Sequence, residues 1–148
     1  MLTTPLLARD AVQRYLPQHP PMVMVHELVS ATPDELLSRF DVLATDVFAE
    51  DGVLLEGGVI ENVAQTAALG MGYSSAMEGA PPPVGFIGAV SKLSIERLPR
   101  IGETLHTTVR VTHRLQQVQV LHGTVRVGEE QLAEMEMKVF LVGDVPPS

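Results

Sequence analysis

Residues 54 to 73 decide how this chain folds: Leu54-Leu55-Glu56-Gly57-Gly58-Val59-Ile60-Glu61-Asn62-Val63-Ala64-Gln65-Thr66-Ala67-Ala68-Leu69-Gly70-Met71-Gly72-Tyr73. The stretch reads as a helix that is apolar on nearly every side, the pattern of a helix buried all round. Yet its first turns hold Glu61, Asn62, Gln65 and Thr66. An ionised carboxylate inside a protein is costly unless it is paired, neutralised or used, so Glu61 is the first candidate for chemistry. The stop signals Gly79 and Pro81-Pro82-Pro83 limit the helix to about 20 residues. At about 1.5 Å per residue it spans about 30 Å, the width of a small domain.

On the N-terminal side, Leu6, Leu7, Val12 and Leu16 after a Thr-Pro start predict a short helix over residues 4–15 that ends before Pro17. The β-branched run Met22 to Val29 predicts a first strand, and Leu36, Leu37, Phe40, Val42 and Leu43 a second. Residues 46–56 show no clear period. On the C-terminal side, Val84 to Ile95 predicts a third strand, and Leu98-Pro99-Arg100-Ile101-Gly102 a turn. Three longer strands follow. Leu105, Thr107, Val109 and Val111 alternate with polar residues, Val118 to Val127 is valine-rich, and Ala133, Met135, Met137, Val139 and Leu141 alternate with Glu134, Glu136 and Lys138. Short turns make these strands antiparallel neighbours. The Pro-Pro-Ser tail is expected to fray. The expectation is an α+β fold, one long central helix wrapped by a five- or six-stranded antiparallel sheet, with residues 1–148 as a single domain.

Composition narrows the function classes. The 148 residues contain no cysteine, which removes disulfides, thiolate metal sites and a cysteine nucleophile. A formal net charge of −8 opposes general binding to nucleic acid or anionic membrane. There is no signal-like N-terminus and no run approaching about 18 apolar residues, so a cytoplasmic location is expected. Neither a metal-ligand spacing nor a cofactor motif is present, and no cofactor is expected.

This order of elements resembles the hotdog fold, and three motifs are similar to those of the β-hydroxyacyl-acyl carrier protein dehydratases. Leu16-Pro17-Gln18-His19-Pro20-Pro21-Met22-Val23-Met24-Val25 resembles that family's Leu-Pro-His-Arg-x-Pro segment with its apolar continuation. Glu61-Asn62-Val63-Ala64-Gln65 is similar to its Glu-Ala-Met-Ala-Gln helix motif. Gly85-Phe86-Ile87-Gly88, continuing through Arg97 and Pro99 to Gly102-Glu103, resembles its Phe-Ala-Gly strand and Pro-Gly-Asp turn. One departure stands out. The family's catalytic histidine lies in a Gly-His-Phe-Pro segment before the helix, where this chain has Val47-Phe48-Ala49-Glu50-Asp51-Gly52-Val53. The resemblance thus describes an atypical member without the usual histidine.

Dehydrating a 3-hydroxyacyl thioester requires a base at C2, an acid at the 3-hydroxyl and donors for the thioester oxygen. The resemblance assigns the hydroxyl side to Glu61, with Gln65 one turn on to orient it or the substrate; alternatively the pair is a structural polar network that fixes helix register. Gly57 and Gly58 would offer backbone N–H groups at the helix start, or merely form the turn into it. His19, or else His26, is the candidate for the missing base, from this subunit or another. Gly85, Ile87 and Gly88 would expose backbone to substrate, or ease a curved sheet. Met22, Met24, Met135 and Met137 are expected in the core, or along an acyl tunnel. Lys92, Arg97 and Arg100 form a cationic stretch suited to an acidic carrier protein.

Three functions are compatible with these residues: a dehydratase-like lyase acting on acyl carrier protein or coenzyme A thioesters, a hotdog thioesterase using Glu61 as base or nucleophile, and a non-catalytic acyl-binding or partner subunit. The resemblance also implies at least a homodimer.

Overall fold

Alternation along the strands and the all-round apolar helix resolve into one arrangement in the computed structural model, which describes residues 4–81 and 84–142. Six strands form an antiparallel sheet: β1 (Glu27–Ala31), β2 (Glu35–Asp41), β5 (Val84–Ile95), β6 (Thr104–Leu115), β7 (Val118–Val127) and β8 (Glu130–Val142), in the order β1-β2-β6-β7-β8-β5. A small hairpin, β3 (Ala49–Glu50) and β4 (Val53–Leu54), leads into helix α2 (Glu56–Met77). This is the hotdog fold, with the long helix lying in the concave face of the sheet.

The helix is apolar all round because two different layers cover it. Val59, Val63 and Ala67 pack on the sheet, against Phe40, Leu105, Val109, Leu121, Val125 and Met135. On another side Leu69 packs with Leu7, Val12, Leu16, Val25 and Leu28 of the N-terminal segment. At about 25 cal/mol per Å² of apolar surface, each fully buried Leu or Val contributes about 1.5–3 kcal/mol, so both layers hold α2 firmly.

Two expectations at the N-terminal end are corrected. The helix predicted over residues 4–15 shrinks to α1 (Arg9–Val12) and one 3₁₀ turn (Gln13–Tyr15), because Leu7 is taken into a β-bridge with Leu28. The strand predicted from Met22 begins only at Glu27. Residues 22–24 belong to no strand and lie along α2, where side chains replace a strand partner. Met24 N–H donates to Gln65 Oε1 at 2.7 Å, Asn62 Nδ2 donates to Met24 O at 2.8 Å, and Gln65 Nε2 donates to Met22 O at 2.8 Å. Asn62 Oδ1 in turn accepts from Thr107 Oγ1 at 2.6 Å, and Ser38 and Thr66 hydroxyls meet at 2.7 Å. Buried peptide groups must find partners, and the polar residues of the apolar helix supply them.

The strand predicted at Val84–Ile95 forms over that span and lies at the sheet edge, paired with β8 alone. Val84 (66 % exposed), Phe86 (56 %) and Leu93 (41 %) make this edge both long and apolar. The expected Pro-Pro-Ser tail lies outside the described residues.

Candidate active site

Helix α2 carries a stripe of small side chains at three- and four-residue intervals: Ala64, Ala67 and Ala68, Gly72, Ala76. Beside it lies a cavity of about 670 Å³, closed on the other side by Met137, Val139 and Leu141 of β8 and by the start of β5. Glu61 and Ala76 both line it, so it follows the helix for about 22 Å. Small residues leave a trough where larger ones would fill it. At Gly72 a Cβ atom would stand 2.7 Å from the Tyr15 carbonyl oxygen, so glycine lets the 3₁₀ turn sit directly on the helix.

Glu61 is half-buried on the wall of this cavity. Gln65 Nε2 donates to its Oε2 at 2.8 Å, while Oε1 has no hydrogen-bond partner among the described residues. Gln65 itself is fully buried and makes three bonds, to Met22, Met24 and Glu61. It therefore orients the carboxylate from a position locked by the chain beneath it.

The structure separates other expected site residues from this group. Gly57 and Gly58 do not line the cavity. A Cβ at Gly57 would stand 2.9 Å from the Phe48 ring and one at Gly58 2.6 Å from Leu54, and the Gly58 N–H donates to Leu55 O at 2.9 Å. Both glycines pack closely at the helix start, and the Gly58 N–H is already taken by the chain itself. Gly85 and Ile87 do line the cavity, but Gly88 does not: it makes room for the Phe140 ring.

His19 is exposed and off the cavity wall. His26 lies in a second cleft of about 410 Å³ with Arg9, Gln13 and Asp46. Its Nδ1 accepts from Asp41 N–H at 3.0 Å and from Arg9 Nη2 at 2.9 Å, which leaves the proton on Nε2. Burial, together with the Arg9 charge, lowers its pKa from 6.5 to about 4. No histidine of the described residues lines the Glu61 cavity. The methionines divide as well: Met24 and Met135 are core, Met137 is both buried and cavity-lining, and Met22 is 37 % exposed.

Of the cationic stretch, Arg97 is bound by Glu103 at 2.9 Å and Glu130 at 3.0 Å, and its hydrogen bonds hold the Glu103 carboxyl at about 2. Lys92 is 77 % exposed and 3.5 Å from Glu136; Arg100 is exposed. None of the three lines the cavity. Sequence reasoning missed Arg14, Tyr15 and Gln18, which do. Gln18 had a signal, since it stands where the resemblance places the histidine of Leu-Pro-His-Arg. No group of three or more metal-binding side chains occurs among the described residues, and none of their helices is long and apolar enough to cross a membrane.

The sequence profile of the ApeP-like proteins, described as ApeP dehydratase, matches residues 10–146. The chain belongs to the ApeP-like dehydratase family. Solved structures agree on the fold. The dehydratase heterocomplex ApeI:P from Xenorhabdus doucetiae superposes with a TM-score of 0.82 at 16 % identity, over 90 % of this chain and 91 % of that one. A hypothetical thioesterase with coenzyme A from Streptococcus pneumoniae gives 0.64 at 12 % identity, over 79 % and 85 %. The Escherichia coli PaaI protein from the phenylacetic acid degradation operon gives 0.61 at 16 % identity, over 76 % and 80 %. No curated protein matches the sequence.

Proposed function

We propose that this protein is one subunit of a dehydratase assembly that removes water from 3-hydroxyacyl thioesters of an acyl carrier protein, in a lipid or polyketide-type route such as aryl polyene biosynthesis. The observation that carries this reading is Glu61, oriented by Gln65 on the wall of an apolar cavity that follows the helix for about 22 Å. The cavity takes the acyl chain, and Glu61 protonates the departing 3-hydroxyl. A base removes the C2 proton, the C2–C3 double bond forms, and the hydroxyl leaves as water.

The base comes from a neighbouring subunit. No histidine of the described residues shares the wall with Glu61, and the start of β5, which lines the cavity, belongs to a long apolar edge of the kind proteins normally cover. The similarity to a heterocomplex favours a distinct hotdog partner carrying the imidazole over His19 of a second copy. Exposed Lys92 and Arg100 are the candidates for docking the acidic carrier.

The test is to incubate the protein, alone and co-expressed with a hotdog partner, with 3-hydroxyacyl, enoyl and acyl thioesters, assaying water loss, hydration and thiol release separately. Water loss that needs the partner and disappears in Glu61→Gln is expected. Thiol release from a plain acyl thioester by the protein alone would instead establish a thioesterase. Loss of activity in His19→Ala without any partner histidine would place the base on a second copy.

A further inference from the structure

Gln18 has an unmet hydrogen-bond requirement on the Glu61 cavity. Its side-chain Oε1 is the buried side-chain polar atom without a hydrogen-bond partner among the described residues, and Gln18 lines the same cavity as Glu61. The backbone around it is held: Gln13 Nε2 donates to the Gln18 carbonyl oxygen at 2.5 Å, and Leu16 two residues earlier is buried against the helix. Every other polar side chain buried in this region, Asn62, Gln65 and Thr66, has its partner. A buried acceptor left unsatisfied costs about 1–3 kcal/mol, and an apolar residue of the same length would avoid that cost. An oxygen kept there unpaired is suited to accept from a molecule that enters the cavity.

We infer that Gln18 is a substrate-positioning residue, whose Oε1 accepts a hydrogen bond from an O–H or N–H donor of the bound acyl thioester. The inference rests on the proposed acyl-thioester function and adds a residue to it. Two donors of such a substrate have the right chemistry: the 3-hydroxyl, and an amide N–H of the pantetheine arm. Either bond would fix the thioester along the cavity relative to Glu61 without taking part in proton transfer.

The experiment measures binding of a non-hydrolysable 3-hydroxyacyl-pantetheine thioether and its 3-deoxy counterpart to the full chain in its assembled form. Wild type is compared with Gln18→Met and Gln18→Leu, and unfolding is followed in parallel. Both variants remove the acceptor while keeping an apolar side chain of similar size. Weakening by about three- to tenfold, the loss of one neutral hydrogen bond, is expected with a melting temperature that is unchanged or raised. A loss confined to the 3-hydroxy ligand identifies the hydroxyl as donor, and an equal loss with both identifies the arm. KM should rise with kcat nearly constant. Unaltered binding of both ligands, or a lowered melting temperature as the sole effect, would overturn the assignment and make Gln18 structural. Wild type that binds neither ligand would overturn the acyl-thioester reading itself.

Discussion

Replacing Gln65 with leucine tests the idea that the polar residues of α2 hold the N-terminal segment and the carboxylate together. The substitution nearly preserves volume but removes three hydrogen bonds. Met24 is fully buried, so its N–H would be left without an acceptor, at about 1–3 kcal/mol. The bond to Glu61 adds less, about 0.5–1 kcal/mol, because that carboxylate is only half-buried and partly screened. The Met22 carbonyl sits at an exposed residue and can turn to water. The added apolar atoms offset part of the loss, so the net destabilisation expected is about 2–3 kcal/mol. With a urea m-value of about 1–3 kcal/mol per molar, the midpoint should fall by roughly 1–2 M. Protein concentration must be held fixed, since assembly raises apparent stability. The m-value should stay constant, and kcat/KM should drop with the loss of carboxylate orientation. A Gln65→Leu protein within about 0.5 kcal/mol of wild type would show that residues 22–24 are not anchored by this amide and would refute the reasoning.

Three further outcomes are expected. Glu61→Gln keeps the shape of the side chain and its place beside Gln65, so it should fold normally and lose at least about 100-fold in dehydration rate, read by enoyl absorbance. His26 is neutral in the folded protein, with a pKa lowered to about 4, whereas the unfolded chain takes up a proton at 6.5. Its contribution is therefore complete above pH 6.5 and is lost as pH falls from 6.5 to about 4. For a ring only about half buried the loss is about 1–2 kcal/mol after screening, and denaturation of His26→Gln at several pH values should show a flatter acid limb than wild type. Gly72→Ala places a methyl against the Tyr15 carbonyl oxygen, costing about 1–3 kcal/mol by overpacking. It also narrows the cavity, so thermal denaturation should show a lower midpoint, and turnover of long acyl chains should fall more than that of short ones.

Sequence alone determined the architecture, because it is written in periodicities that survive without neighbours. Alternation in β6, β7 and β8 and the uniformly apolar run from Leu54 to Tyr73 each reflect which faces must leave water, so a five- or six-stranded antiparallel sheet and the helix length were legible, and the order of elements carried the resemblance to the hotdog fold, whereas the short hairpin β3–β4 left no period to read. The oddity of Glu61 was legible too, since a carboxylate in an apolar helix is conspicuous anywhere. Local pattern failed at Met22 to His26, whose strand-like composition reports extended backbone but not what that backbone bonds to. Only the tertiary structure decided that Asn62 and Gln65 take the place of a neighbouring strand there. It likewise decided that Gly57 and Gly58 accommodate Phe48 and Leu54, that His26 belongs to a separate cleft, and that Gln18 shares the wall with Glu61. The physical reason is common to all of them: a glycine, a histidine or an amide has a role fixed by atoms distant in sequence, and no period along the chain encodes which atoms those are.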